Sequence, residues 1–92
     1  MTKTSYQNEV ISRVRKLRLD NRMSQIELAN IIEISSGQIG NIESPKFSHK
    51  YTIKHLYQIS KYFGVHFEYL MTGENETLNT EDMILNLIRY DE

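Results

Sequence analysis

The sequence predicts an all-α protein built around two short helices joined by a brief turn. Three observations support this fold class. Apolar residues recur at helical spacing along most of the 92 residues. Two helix-start signatures follow each other in close succession. Pro45 is the only proline, so regular structure can be extensive. This length suits one domain with a usable core.

The first helix is predicted over residues 6–21. Val10, Val14 and Leu17 recur at i, i+4 and i+7, so one face of the helix is apolar and points to the core. Four basic residues lie along the same helix: Arg13, Arg15, Lys16 and Arg18.

The second helix is predicted over about residues 24–32. Ser24 is followed three residues later by Glu27, which is the pattern of a capping box. Met23 before the cap and Leu28 after it can form a hydrophobic staple, which fixes where the helix begins.

The third helix is predicted over about residues 35–44, ended by Pro45. Ser35 and Gln38 form a second capping box, again with apolar residues in the staple positions. Only Glu33 and Ile34 separate the two helices. Helices joined by so short a turn must cross steeply, which predicts a helix-turn-helix.

Gly37 and Gly40 make the third helix intrinsically weak. Each glycine costs roughly 1 kcal/mol relative to alanine inside a helix. The other residues of its outer face are small and polar. A helix of this composition is expected to lie with that face against another molecule, because glycine permits close approach of the backbone.

Three further helices are predicted. Thr52 caps a fourth, whose Leu56, Ile59 and Phe63 face inward, and "VHFEYLMTG" forms a short fifth helix capped by His66. Residues 1–73 then form the main domain. Residues 74–92 form an acidic linker and a C-terminal helix, which either packs on helices one and five, forms a symmetric dimer contact, or is disordered. The apolar residues of this last helix are Ile84, Leu87 and Ile88.

Charge is distributed unevenly although the net charge is only −1. Residues 1–61 hold ten Lys or Arg and five Asp or Glu, whereas residues 62–92 hold one and seven. A basic body with an acidic tail suits a polyanionic partner on one face. Chance clustering of solvated charges is the alternative.

Several classes of function find no support in the sequence. No apolar run approaches the roughly 20 residues of a membrane span, and residues 1–10 lack the apolar segment of a signal peptide, which predicts a cytoplasmic protein. There is no cysteine, and the three histidines do not have metal-ligand spacing. No nucleophile motif is present. We therefore expect no enzyme, no cofactor, no metal and no membrane partner.

The segment "MSQIELANIIEISSGQIGNIE" resembles the helix-turn-helix of Cro and phage repressors, often called the Xre family. The resemblance covers about residues 10–73. It rests on the Arg-rich first helix, "SQ-x-x-LA", "I-x-x-IE" at the end of helix three and "FGV-x-x-x-YLMTG". It implies a lambda-repressor-like bundle of four to five helices, plus the C-terminal helix, with helix three in the DNA major groove.

The resemblance also implies site residues. Bases would be read by Ser36, Gly37, Gln38 and Asn41, with Gln38 alternatively completing its capping box. Arg18 and Glu43 would form an ion pair between helices one and three, unless they are independent surface charges. Phosphates would be contacted by Arg18, Arg22, Gln25, Ser35, Lys46, Ser48, His49, Lys50 and Tyr51.

Three departures from the family pattern affect these expectations. Glu33 stands where a glycine is common, so it either adopts a left-handed conformation or the turn differs. The loop from Ser44 to Tyr51 is longer than usual and lacks its glycine. Helix three has no arginine, which is the commonest reader of guanine, so a preference for A·T pairs is expected.

The expected function is sequence-specific transcriptional regulation. A homodimer would bind a palindromic operator on double-stranded DNA and act as a repressor. One alternative is an antitoxin that binds both DNA and a toxin protein, held by residues 74–92. A third is a helix-turn-helix that contacts only proteins.

Overall fold

A computed structural model describes residues 2–92, a range that contains six α-helices and no strand. The all-α prediction is therefore confirmed, with five helices in the bundle and a sixth after it. The helices are α1 (Ser5–Asp20), α2 (Gln25–Ile31), α3 (Ser36–Glu43), α4 (Ile53–Phe63), α5 (Phe67–Thr72) and α6 (Thr80–Asp91).

The first four helices begin at capping boxes. In each one a Ser or Thr side chain accepts from the backbone N–H three residues on, and that third residue's side chain accepts from the cap's own N–H. The caps are Thr4, Ser24, Ser35 and Thr52. The prediction for α5 is wrong: His66 occupies the cap position, but its side chain makes no capping hydrogen bond.

The core lies where α1 crosses the helix-turn-helix and α5. α2 packs mainly on α3, α1 contacts both α3 and α5, and α6 lies against α1 and α5. The buried apolar side chains are Tyr6, Val10, Ile11, Val14, Met23, Leu28, Ala29, Ile32, Ile39, Ile42, Tyr51, Leu56, Ile59, Leu70, Met71 and Tyr90.

The turn between α2 and α3 contains a left-handed non-glycine residue. Glu33 has φ 59°, so the first of the two expected alternatives is the one observed. The chain then returns to the bundle through a hydrogen bond from the Ile34 N–H to the Ala29 carbonyl at 3.0 Å. A left-handed residue with a side chain costs about 1–2 kcal/mol, and the packing of α2 on α3 offsets that cost.

α6 packs on the bundle with one apolar face and leaves a second one exposed. Tyr90 is fully buried, and Leu87 packs against the core. Ile84, Leu85 and Ile88 are about half exposed. α6 therefore contacts the bundle through Leu87 and Tyr90, and a dimer contact through its outer face stays a prediction.

Within residues 2–92, no helix combines the length and the apolarity that crossing a bilayer requires.

Candidate nucleic-acid interface

α3 is fixed to the bundle by two isoleucines and presents small polar residues outward. Ile39 is 0 % exposed and Ile42 is 4 % exposed. Ser36 and Gly37 are exposed and Asn41 is half-buried, so three of the predicted base-reading residues share the outer side of one anchored helix. A hydroxyl and a carboxamide on such a surface can hydrogen-bond to base edges.

The two glycines of α3 are not required by packing inside the molecule. A Cβ placed on Gly37 would meet Ser35 Oγ at 3.9 Å, and one on Gly40 would meet Gln25 Oε1 at 3.8 Å. Both are ordinary van der Waals contacts, and neither glycine has a positive φ. The fold alone therefore gives no reason for glycine at these positions.

Gln38 completes the capping box of α3. Its Oε1 accepts from the Ser35 backbone N–H at 2.9 Å, while Ser35 Oγ accepts from the Gln38 N–H at 3.1 Å. One of the two expected roles of Gln38 is thus present. Base reading by Gln38 would then be left to its Nε2. The capping bond uses one lone pair of the Ser35 hydroxyl, and its O–H can donate to Gln38 Oε1, 3.3 Å away, or to an acceptor outside the molecule.

A buried ion pair joins α1 to the end of α3. Arg18 Nε and Nη2 donate to the two carboxylate oxygens of Glu43, each at 2.8 Å, and Arg18 Nη1 donates to the Met23 carbonyl at 2.8 Å. The exposed fractions of the Arg18 and Glu43 side chains are 8 % and 6 %. The hydrogen bond with Glu43 raises the pKa of Arg18. The two charges are not independent surface groups.

The ion pair alters two of the expected phosphate contacts. Arg18 is buried and its guanidinium is committed to Glu43 and the Met23 carbonyl, so a direct phosphate contact by Arg18 is wrong. Gln25 Nε2 likewise donates to Glu43 Oε1 at 3.1 Å, so one of its amide hydrogens is committed to the ion pair, while the residue itself is half-buried. These side chains orient α2 and α3 relative to α1.

The segment after α3, residues 44–51, carries the remaining basic and polar candidates and is named here the 44–51 loop. Lys46, Ser48 and His49 are exposed. Arg22, also exposed, lies in the turn before α2 with φ 53°. The Phe47 and His49 rings meet edge to face at 5.8 Å on the exposed side of the loop.

Tyr51 does not belong to this exposed set. It is 0 % exposed, and burial raises the pKa of its hydroxyl. A phosphate contact by Tyr51 is therefore wrong. The sequence pattern places Tyr51 at the end of an exposed loop, whereas in the structure it is the first core residue after that loop.

Three side chains hold the 44–51 loop: Lys3 and Tyr90 directly, and Gln7 through Tyr90. Lys3 Nζ donates to the carbonyls of Ser44 and Phe47, at 2.7 and 2.6 Å. Tyr90 Oη donates to the Tyr51 carbonyl at 2.7 Å. Gln7 Nε2 donates to the Tyr90 carbonyl at 2.7 Å. Gln7 also completes the Thr4 capping box, which is a local pattern, but no local pattern indicates its bond to Tyr90 or the contacts of Lys3 and Tyr90 with the loop.

Arg15 is a further candidate for the interface that the sequence reasoning missed. Its Nε lies 3.7 Å from Glu43 Oε1, and its side chain is 55 % exposed. The guanidinium therefore stands beside the end of α3 with donors free to contact a phosphate. Its place in the basic first helix is the signal that could have identified it.

Nothing in the described part of the chain resembles a metal centre. Residues 2–92 contain no group of three or more His, Asp or Glu placed to hold a metal ion.

A family model described as a helix-turn-helix domain matches residues 11–76, which is more than half of the chain. No curated protein and no solved structure matches the sequence.

Proposed function

Because the chain belongs to the helix-turn-helix domain family, which includes Cro- and Xre-like domains, we propose that this DNA-binding regulator is a repressor. It reads a palindromic operator as a homodimer with α3 in the major groove. The observation that carries this proposal is α3 itself. Its inner side is anchored by Ile39 and Ile42, and its outer side carries glycines that the fold does not need.

Base reading in this proposal falls to Ser36 and Asn41, with Gly37 allowing close approach of the backbone. Asn41 can pair bidentately with adenine, and Ser36 can donate or accept one hydrogen bond. α3 contains no arginine, so the strongest reader of guanine is missing and the preferred half-site is rich in A·T pairs.

Phosphate binding falls to residues around α3, all of them exposed except Lys50, which is half-buried. They lie before α2, at the start of α3, in the second half of α1 and in the 44–51 loop, so they flank the recognition helix. The proposed set is Arg22, Ser35, Arg15, Lys46, Ser48, His49 and Lys50.

The outer face of α6 is the proposed dimer contact, with a second copy of the chain as its occupant. Ile84, Leu85 and Ile88 are exposed and carry no charge to desolvate. Beside them is an open apolar depression of about 390 Å³ between α4, α5 and α6. Lys54 lines that depression, so the apolar surface has a basic edge.

The glycines allow a test in which stability and binding move in opposite directions. Gly37→Ala should raise the free energy of unfolding by up to about 1 kcal/mol, because alanine is the better helix former. It should also weaken binding to the preferred site, because the added methyl separates the α3 backbone from the bases. A misfolded variant would lose both stability and DNA binding, so it cannot be more stable and bind more weakly at the same time.

The preferred site itself would come from selection on a random double-stranded DNA library at near-physiological salt. An inverted repeat with half-sites about one helical turn apart is expected. If the Gly37→Ala variant bound the selected site as tightly as the wild type, the proposal that the α3 backbone lies close to the bases in the major groove would be contradicted. Enrichment of single half-sites by a monomer would leave α6 free for a toxin partner and would favour the antitoxin alternative.

A further inference from the structure

The 44–51 loop has little internal structure to fix its shape. The hydrogen bond that it makes within its own span is from the Lys46 N–H to Ser44 Oγ, at 3.2 Å. Residues 45–49 are exposed. A segment of this kind would sample many conformations unless contacts from elsewhere restrict it.

Side chains from distant parts of the chain supply that restriction at both ends of the loop. At its start, the buried ammonium of Lys3 donates to the carbonyls of Ser44 and Phe47. At its end, Tyr90 Oη donates to the Tyr51 carbonyl in a buried bond. The first contact fixes where α3 stops, and the second fixes where the loop enters the core.

Tyr90 also reaches the loop through its carbonyl and its ring. The carbonyl accepts from Gln7 Nε2 at 2.7 Å and from Lys50 Nζ at 3.2 Å. Lys50 Nζ lies 5.3 Å from the centroid of the Tyr90 ring, within range of a cation–π contact. An ammonium has three donors, so Lys50 keeps donors for a phosphate while Tyr90 fixes where its head group stands.

We propose that Tyr90 is a positioning residue for DNA binding: together with Lys3 and Gln7 it holds the 44–51 loop in the shape that meets the phosphate backbone. These three residues are called the loop clamp. The inference rests on the proposed DNA-binding function. It adds that α6, which carries none of the proposed DNA contacts, affects affinity through the loop as well as through the proposed dimer contact. A loop ordered in advance loses less entropy when it binds.

Tyr90→Phe tests the clamp with a minimal change. It removes the hydroxyl that bonds to the Tyr51 carbonyl and keeps the ring in the core. Tyr6→Phe is the matched control, since Tyr6 Oη donates to Asn86 Oδ1 of α6 at 2.8 Å and so anchors the same helix without touching the loop. Each variant removes one tyrosine hydroxyl from a side chain that is buried in the wild type.

The readout is the dependence of DNA affinity on salt. Tyr90→Phe should bind about threefold to tenfold more weakly, on specific and non-specific DNA alike. The slope of log K against log salt should become shallower by about 0.9 for each phosphate that the loop no longer neutralises. Tyr6→Phe should keep the wild-type slope, because a decrease in stability alone lowers the folded fraction and leaves the DNA contacts of folded molecules unchanged.

NMR relaxation of the free protein separates failure of the clamp from failure of the proposed function. In Tyr90→Phe, the backbone amides of residues 46–50 should have lower order parameters than in the wild type and in Tyr6→Phe. Unchanged order parameters with an unchanged salt slope would overturn the clamp alone. Equally shallow slopes in both variants would assign the effect to α6 docking in general and also overturn it. A folded wild type that bound no DNA would overturn the proposed function, and the role of Tyr90 in DNA binding with it.

Discussion

The helix-turn-helix and the 44–51 loop are neighbours in the chain but are held in different ways. The starts of α2 and α3 are fixed by capping boxes whose partners are three residues apart. The loop is fixed by partners 39 to 44 residues away. The recognition helix is thus defined by local sequence, whereas the phosphate-contacting loop depends on the whole fold.

This difference separates two components of DNA binding. Side chains on α3 are proposed to choose the sequence, and their geometry survives as long as α2 and α3 stay packed. Residues of the loop are proposed to set affinity without choosing sequence, and their geometry changes with α1 and α6. A change in α6 should therefore alter how tightly the protein binds more than what it binds.

Glu43 joins the two regions, so its removal should have the largest effect. It ends α3, precedes the loop and receives two hydrogen bonds from Arg18. In Glu43→Ala the buried guanidinium loses its counter-charge, and we expect a decrease of about 3–5 kcal/mol in the free energy of unfolding. Urea denaturation followed by circular dichroism measures this decrease.

An exposed ion pair on α1 is the control for Glu43→Ala. Lys16 Nζ and Asp20 Oδ2 are 2.7 Å apart, but both side chains are more than half exposed. Asp20→Ala should cost no more than about 1 kcal/mol. Equal costs for the two variants would mean that the contact between Arg18 and Glu43 does not hold the end of α3 against α1.

A substitution of Asn41 tests the recognition helix α3 by itself. Asn41→Ala should relax the preference at one base pair in each half-site, a decrease of about 1–3 kcal/mol in discrimination. Binding to non-specific DNA should stay near the wild-type level, because no phosphate contact is removed. Competition between sites that differ at one position measures the change, and an unaltered preference profile would remove Asn41 from the base-reading set.

Lys46 tests the loop in the complementary way. Lys46→Ala should weaken binding to every DNA sequence alike and make the salt slope shallower by about 0.9 for each bound copy, or about 1.8 for a dimer. The preference profile obtained by selection should not change. A shifted profile would show that the loop also chooses sequence, and the division between the two regions would fail.

The sequence predicts the helix-turn-helix well and the 44–51 loop poorly, for one physical reason. A capping box and a staple lie within a few residues of each other, so short segments of sequence are enough to predict the starts of α2 and α3. The same applies to the pattern of buried residues in α1. Helix propensity also indicates that Gly37 and Gly40 are costly, although only the folded chain shows that packing does not require them.

The errors at the interface all concern where a side chain points after the chain has folded. Basic residues on α1 look alike in sequence, so Arg18 is a candidate for phosphate, yet it is buried while Arg15 is exposed. Tyr51 is likewise a candidate by its place in the loop, and nothing in the sequence singles out Lys3 or Tyr90. These positions are decided by contacts between distant residues, which no local pattern records.

The smallest expected effect is that of pH at the junction of the 44–51 loop with α4. His55 Nδ1 accepts from the Thr52 N–H at 3.2 Å, and its ring meets that of Tyr51 edge to face at 6.5 Å. Burial, followed by the charge of Lys54, lowers the pKa of His55 below 6.5. A protonated Nδ1 cannot accept the capping bond.

The unfolded chain therefore binds the His55 proton more readily than the folded one, and His55 should reduce stability as pH falls below about 6.5. His55→Gln keeps a side chain that can complete the Thr52 capping box, so its free energy of unfolding should fall less between about pH 7.5 and 5.5. Urea titrations at a series of pH values measure the difference. Lys54→Met should keep most of the wild-type dependence, because burial is the larger cause. Identical pH profiles for the wild type and His55→Gln would show that the end of the loop does not sense protonation of this histidine.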